Sequence, residues 1–214
     1  MSVLSDYCAK WRLTPSVLKT VSSVFHLHNA FASTELNVML NGKRIRHEHQ
    51  PVYLGVTLDR SLTFRSHMVK TAAKVRTRKN LITKLAGSTW GARARTLRTA
   101  ALALCFSVAE YCAPVWCHST HTKLVDIQLN SVMRTVSGSL TSTPVPWLSV
   151  LSNIAPASIR RMSASVKAMD KIRHHPNLPV FDDLIALPEA RLPSRSPIWS
   201  TVLQPDWSID EAWK

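Results

Sequence analysis

Apolar residues recur at one spacing in the first part of the chain and at another in the second. Up to about residue 62, β-branched and aromatic residues form short runs, which predict strands over residues 20–27, 35–41 and 52–58. Before them, residues 2–13 predict an amphipathic helix that packs on a sheet, because Val3, Tyr7 and Trp11 recur at helical spacing. From Ser66 the period becomes about 3.6 residues, so a mainly helical part begins there.

The Asn41-Gly42 pair is the strongest turn signal in the chain. Both residue types readily supply the positive φ angles of a tight two-residue turn. We therefore predict a hairpin in which Leu36, Val38 and Leu40 lie on one strand and residues 43–45 form the other.

Four longer helices are predicted in the second part, over residues 65–85, 90–111, 120–137 and 156–173. Gly87 ends the first, Pro114 follows the second, Gly138 closes the third and Pro156 starts the fourth. The predicted core positions of the first two helices are Met68, Ala72, Val75, Ile82, Leu85, Leu97, Ala101, Leu104 and Val108.

The resulting fold class is α+β, with a small antiparallel sheet, a mainly α-helical bundle and an irregular tail. We place the segments at residues 1–62, 63–175 and 176–214. The tail is rich in proline and has one short helix, over about residues 181–186.

Positive charge is concentrated in one stretch of the chain. The formal net charge is +14, and the residues from Arg60 to Arg98 include no Asp or Glu. Such a stretch favours an anionic partner, and a helix within it could lie along a phosphate backbone, although charge runs are more often solvated faces. The candidate nucleic-acid-binding residues on that helix are Lys70, Lys74, Arg76, Arg78 and Lys79.

Several other functions are disfavoured by the residue pattern. No apolar stretch is long enough to span a bilayer, and the N-terminus lacks the charge pattern of a targeting signal, so we expect an intracellular protein, nuclear or cytoplasmic, with no membrane partner. The four cysteines are expected to be free thiols. Two clusters could bind a metal, but buried thiols and surface histidines are the more ordinary interpretations: Cys112, Cys117, His118 and His121, and His26, His28, His47 and His49.

Five motifs in order resemble the C-terminal part of a non-LTR retrotransposon reverse transcriptase of the jockey-like kind. They are W-R-L-x-P-x-x-x-K-T-x-x-x-x-F from Trp11, V-Y-L-G-V-T-L-D from Val52, L-T-F-R-S-H from Leu62, Gly87 to Gly91 with its Trp, and E-Y-C-A-P-V-W from Glu110. The resemblance covers roughly residues 1–160. It implies that the sheet is a palm remnant, that the helical part is thumb-like, and that the partner is an RNA/DNA template-primer duplex.

The resemblance also implies roles for individual residues. Lys19 matches a lysine near the triphosphate and would be a general acid toward pyrophosphate, on the condition that an active site exists; a solvated lysine is the alternative. Tyr53, Leu54 and Gly55 match the primer grip, where a glycine within a strand permits close approach of another backbone; an ordinary bulge is the alternative.

One departure from the family decides what we expect of activity. Nucleotidyl transfer needs paired carboxylates that hold two Mg²⁺ ions, and the family's Phe/Tyr-x-Asp-Asp hairpin would lie before Met1. We therefore expect this chain alone to be inactive, to hold no cofactor, and to polymerise only with the missing N-terminal half. Alternatives are a stand-alone basic RNA-binding or scaffold protein, and a non-functional relic.

Overall fold

The computed structural model describes residues 2–40, 42–87 and 90–186. The chain divides into two compact units, Met1–His67 and Met68–Lys214. The short helix predicted near residue 181 is present as Val180–Ala186, whereas the rest of the predicted tail, residues 187–214, lies outside the described residues.

The first unit contains short strands that pair two by two. Helix α1 (Ser2–Lys10) is followed by a 3-10 helix at Asn29–Phe31. The strands are β1 (Val21–Ser22), β2 (Met39–Leu40), β3 (Lys43–Arg44), β4 (Arg46–His47), β5 (Val52–Tyr53) and β6 (Val56–Thr57). Among the described residues, β1 pairs with β4 in parallel, whereas the β2–β3 and β5–β6 pairs are antiparallel.

The α+β class is confirmed, but the prediction of one antiparallel sheet is wrong. The strand predicted over residues 20–27 is limited to Val21–Ser22. Beyond it, Ser23 Oγ donates to the Glu48 carbonyl at 2.7 Å and the His26 N–H donates to the Arg60 carbonyl at 3.0 Å. The Arg60 guanidinium donates to the backbone carbonyl of His28 at 2.8 Å and to Asn29 Oδ1 at 2.8 Å.

The predicted hairpin at Asn41-Gly42 is confirmed. Leu40 is opposite Lys43, Met39 is opposite Arg44, and Gly42 has a φ of 74°. By contrast, the prediction that α1 packs through its apolar residues is wrong, since Val3, Tyr7 and Trp11 are exposed and Cys8 is the buried one.

The second unit is built from helices. Their bounds are α2 (Arg65–Leu85), which begins in the first unit, α3 (Ala94–Ala101), α4 (Ser107–Ala109), α5 (Ala113–Trp116), α6 (Lys123–Ser137), α7 (Val145–Ser152), α8 (Ala157–Arg173) and α9 (Val180–Ala186). The sequence predicted α2, α6 and α8 to within a few residues, and Gly138 closes α6 with a φ of 68° as its lack of a Cβ allows. It did not predict α7.

Helix α2 buries one stripe and exposes the rest. Met68, Val75 and Ile82 have no exposed area, as predicted, and Thr71 is buried beside them. Leu85, predicted to be on the same stripe, is exposed instead, because it is the last helical residue.

A π-helix, Leu102–Phe106, interrupts the helix that the sequence predicted as continuous between residues 90 and 111. A π-turn holds more residues than an α-turn, so the residues after it are displaced around the axis. Cys105, Phe106 and Ala109 are therefore buried, whereas Leu104 and Val108, the predicted core positions, are only half-buried.

Two adjacent arginines on α8 link that helix to two others. The Arg160 guanidinium pairs with Glu110 through two hydrogen bonds and lies 5.3 Å from the centroid of the Phe106 ring. Arg161 is 7% exposed and pairs with Asp126 on α6, with Arg161 Nη2 at 2.9 Å from Asp126 Oδ2. Both pairs are two-pronged, the geometry in which a guanidinium binds a carboxylate best.

The four cysteines are free thiols, as predicted. Cys105 has no exposed area, and burial raises the pKa of its thiol from 9.0 to about 11, an effect that the positive charge of Arg78 partly offsets.

Replacing Arg161 by Ala should lower the free energy of unfolding by about 2 kcal/mol, because Asp126 would keep a partly buried and uncompensated charge. Chemical denaturation followed by circular dichroism measures the effect. The matched control is Arg173→Ala on the same helix, where the side chain is exposed and a change within about 0.5 kcal/mol is expected. Equal losses in the two variants would contradict a structural role for the pair.

Cys105 should resist alkylation in the native protein at pH 8, since the thiolate is the reactive form and little of it exists three pH units below a pKa of about 11. Reaction with iodoacetamide followed by peptide mass spectrometry measures this. The protein unfolded in guanidinium serves as the control, in which all four cysteines should react. Rapid labelling of native Cys105 would show that the residue is not enclosed.

Candidate nucleic-acid interface

Three lysines form one exposed line along α2. Lys70, Lys74 and Lys84 are all exposed. At 100° per residue their positions fall within about 80° of arc, opposite the stripe of Met68, Val75 and Ile82. The 14-residue separation of Lys70 and Lys84 corresponds to about 21 Å along the axis. We call these three residues the lysine line; Lys84 was not among the predicted site residues, although helical arithmetic from Lys70 would have found it.

The other predicted cations of α2 differ in their surroundings. Arg76 is exposed at another part of the circumference, whereas Arg78 and Lys79 are half-buried. Arg78 Nη1 donates to the backbone carbonyl of Leu104 at 2.7 Å, inside the π-helix, and Lys79 Nζ donates to Ser131 Oγ at 2.6 Å. Both side chains therefore anchor α2 to its neighbours.

Acidic side chains in the second unit are mostly engaged away from α2. Glu110 and Asp126 pair with the arginines of α8, and Asp170 lies 3.4 Å from His174. Within the described ranges, Lys74, Arg76 and Lys84 make no ion pair. Their charge is available to an external anion.

Tyr53, Leu54 and Gly55 lie at the tip of the β5–β6 hairpin. Tyr53 pairs with Val56, so Leu54 and Gly55 form a two-residue turn, and both have positive φ angles, 46° and 81°. The prediction that Gly55 lies within a strand is therefore wrong. Glycine is required here by the turn, in which a positive φ costs a residue with a Cβ about 1 kcal/mol or more. Tyr53 and Leu54 are exposed, so the tip can contact a ligand.

Lys19 is exposed in a turn, where its backbone N–H donates to the carbonyl of Ser16 at 3.2 Å. Three carboxylates of the first unit have separate partners. Glu35 pairs with Arg44, Glu48 pairs with Arg46, and Asp59 accepts two hydrogen bonds from Thr63.

The two clusters considered as metal sites are arranged differently from a ligand cage. His47 and His49 stack edge to face at 4.8 Å, whereas His26 contacts Arg60 and His28 packs on Phe31. They belong to the first unit, where His26, His47 and His49 line an open cavity of about 410 Å³.

In the second cluster, Ser165 Oγ donates to Cys117 Sγ at 3.3 Å, and burial raises the pKa of the Cys117 thiol. A side-chain hydrogen bond with Cys112 raises the pKa of the Tyr111 hydroxyl. No three His, Cys, Asp or Glu side chains come together as metal ligands anywhere in the part of the chain that the structure describes.

No described helix combines the length and the apolar character that crossing a bilayer requires.

A comparison with curated proteins links the chain to a polymerase. It is 35% identical over 85 residues to the RNA-directed DNA polymerase from mobile element jockey of Drosophila funebris. The match covers 40% of this chain and 9% of that protein, so the chain spans only a small part of its relative. No family model and no solved structure matches the chain. The chain thus contains a region similar to a reverse transcriptase.

Proposed function

We propose that this chain binds an RNA/DNA template-primer duplex as part of a jockey-like, non-LTR reverse transcriptase. The observation that carries the proposal is the lysine line of α2, an exposed cationic surface in a chain with a region similar to such a polymerase. Template-primer duplexes are held mainly through sequence-independent phosphate contacts, and these need exposed cations more than a shaped pocket.

The dimensions of the lysine line suit this task. Phosphates along one strand of double-stranded DNA are about 3.4 Å apart in axial distance, so a line of about 21 Å extends past roughly six of them, and past more in the shorter rise of an RNA/DNA duplex. Lys70, Lys74 and Lys84 would each contact a phosphate, with Arg76 adding charge at the side. Arg78 and Lys79 would hold the helix in place, because their donors already reach Leu104 and Ser131.

We further propose that residues 1–62 derive from the end of the palm, residues 63–175 from the thumb, and residues 176–214 from the tail that follows. The exposed tip at Tyr53, Leu54 and Gly55 would contact the primer backbone, and Lys19 would act as a general acid only beside a complete active site. Mg²⁺ would be held by carboxylates of the rest of the polymerase, supplied by a longer form of the chain or by a second polypeptide. By itself, this chain would bind without catalysing.

A stand-alone basic RNA-binding or scaffold protein is the rival proposal, since an exposed cationic helix also attracts single strands. The two proposals differ in which nucleic acid should bind more tightly. A thumb-like function requires a recessed template-primer duplex to bind more tightly than single-stranded RNA, and equal affinity favours the rival. A non-functional relic would leave no endogenous protein for mass spectrometry to detect.

The triple variant Lys70→Ala/Lys74→Ala/Lys84→Ala should bind a recessed RNA/DNA duplex roughly tenfold or more weakly at low salt. Each lost phosphate contact removes about one unit from the slope of log affinity against log salt, so the slope should become shallower by about 2 to 3. Fluorescence anisotropy over a series of salt concentrations measures both quantities.

The matched control removes the same charge elsewhere in the second unit, through Lys123→Ala/Lys167→Ala/Lys171→Ala. These three lysines are also exposed, on α6 and α8. We expect the control to keep the slope of the original chain. An equal change in the two triple variants would mean that net charge, and no particular surface, drives binding; absence of duplex binding by the original chain would refute the proposed function.

A further inference from the structure

One tryptophan of the second unit is held at the surface. Trp90 is 73% exposed, whereas Trp116 is 1% exposed and donates its indole N–H to the Tyr111 carbonyl at 2.9 Å. An exposed indole does not contribute the favourable free energy that burial of a tryptophan gives, but its flat aromatic face is available to a ligand.

The backbone around Trp90 is tightly constrained. A Cβ placed on Gly91 would lie 2.4 Å from the Gly87 carbonyl oxygen, and one placed on Gly87 would lie 2.6 Å from the carbonyl oxygen of Trp90. Only glycine permits these approaches. The Ala92 N–H also donates to the Leu85 carbonyl at 2.8 Å, which fixes the chain after Trp90 against the end of α2. The backbone on both sides of Trp90 therefore lies against the end of α2.

Exposed cations precede and follow this tryptophan in the chain. The Ala92–Leu85 hydrogen bond brings the residue after Gly91 to the end of α2, the helix that carries Lys84, and Arg93 and Arg95 follow in the chain. All three side chains are exposed, and within the described residues none of them has an ion-pair partner. Arg98 is different, because its Nε donates to the Asn153 carbonyl at 2.7 Å.

We infer that Trp90 is a stacking platform for one unpaired base of a nucleic acid, with Lys84, Arg93 and Arg95 contacting the neighbouring phosphates. Aromatic faces that stack on bases, set among cations that follow the backbone, are the general means of holding single strands. Lys84 belongs to both this group and the lysine line, so the platform lies at the end of the surface proposed to hold the duplex. The inference rests on the proposed function and adds to it a site for the junction between paired and unpaired template.

The test compares a recessed RNA/DNA duplex with a blunt one of the same sequence, using the full chain. Trp90→Ala should weaken binding of the recessed duplex roughly 5- to 100-fold and leave blunt-duplex binding unchanged, because only the recessed duplex offers an unpaired base. Trp90→Phe should restore most of the preference, since a phenyl ring also stacks. A 2-aminopurine at the first unpaired position should be quenched by the indole of the original chain, but not in Trp90→Ala.

Trp147→Ala is the matched control, because Trp147 is also exposed, at 60%, and lies on α7. It should behave as the original chain does. The inference would be overturned if Trp90→Ala still preferred the recessed duplex, or if it lost affinity equally for both duplexes. The proposed function would stand in either case, as long as the blunt duplex is bound. Failure of the original chain to bind either duplex would refute the proposed function and this inference together.

Discussion

The packing of the second unit depends on two neighbouring guanidinium groups that bind two carboxylates, one on α6 and one directly after α4. Arg160 and Arg161 project from α8 toward Glu110 and Asp126, which lie in separate parts of the chain. Arg161 is buried, and a buried charge is stable only when it is matched in geometry and hydrogen bonding. The positions of α8, of α6 and of the residues after the π-helix are therefore set jointly, and the surface built on α2 rests on that framework.

The many cations of this chain perform two physically different tasks. Arg78, Lys79, Arg98, Arg160 and Arg161 donate to carbonyls, a hydroxyl or carboxylates of the protein itself. Lys74, Arg76, Lys84, Arg93 and Arg95 remain exposed. A net charge therefore overstates the charge that a partner meets, and the distinction depends on tertiary contacts that no count of basic residues contains.

Features that depend on neighbouring residues could be predicted from the sequence, whereas those that depend on long-range contacts could not. The bounds of α2, the Asn41-Gly42 hairpin and the glycine that closes α6 follow from periodicity and from glycine's tolerance of positive φ. The brevity of β1 does not, because the residues after it form hydrogen bonds with Glu48 and Arg60, which are distant in the chain. Likewise, Gly55 looked like a strand glycine until its pairing partners placed it in a turn. The role of Lys19 as a general acid, and the binding roles of Tyr53 to Gly55 and of the lysine line, stay predictions.

The π-helix at Leu102–Phe106 makes the length of this segment adjustable. A single wide turn accommodates one residue more than an α-helix would, without moving Phe106 and Ala109 off the buried face. A chain shorter by one residue here would form a regular α-helix with the same side chains inward. Arg78 Nη1 donates to the Leu104 carbonyl within this same turn. The wide turn is therefore the place where one helix both buries Phe106 and receives the Arg78 side chain that anchors α2.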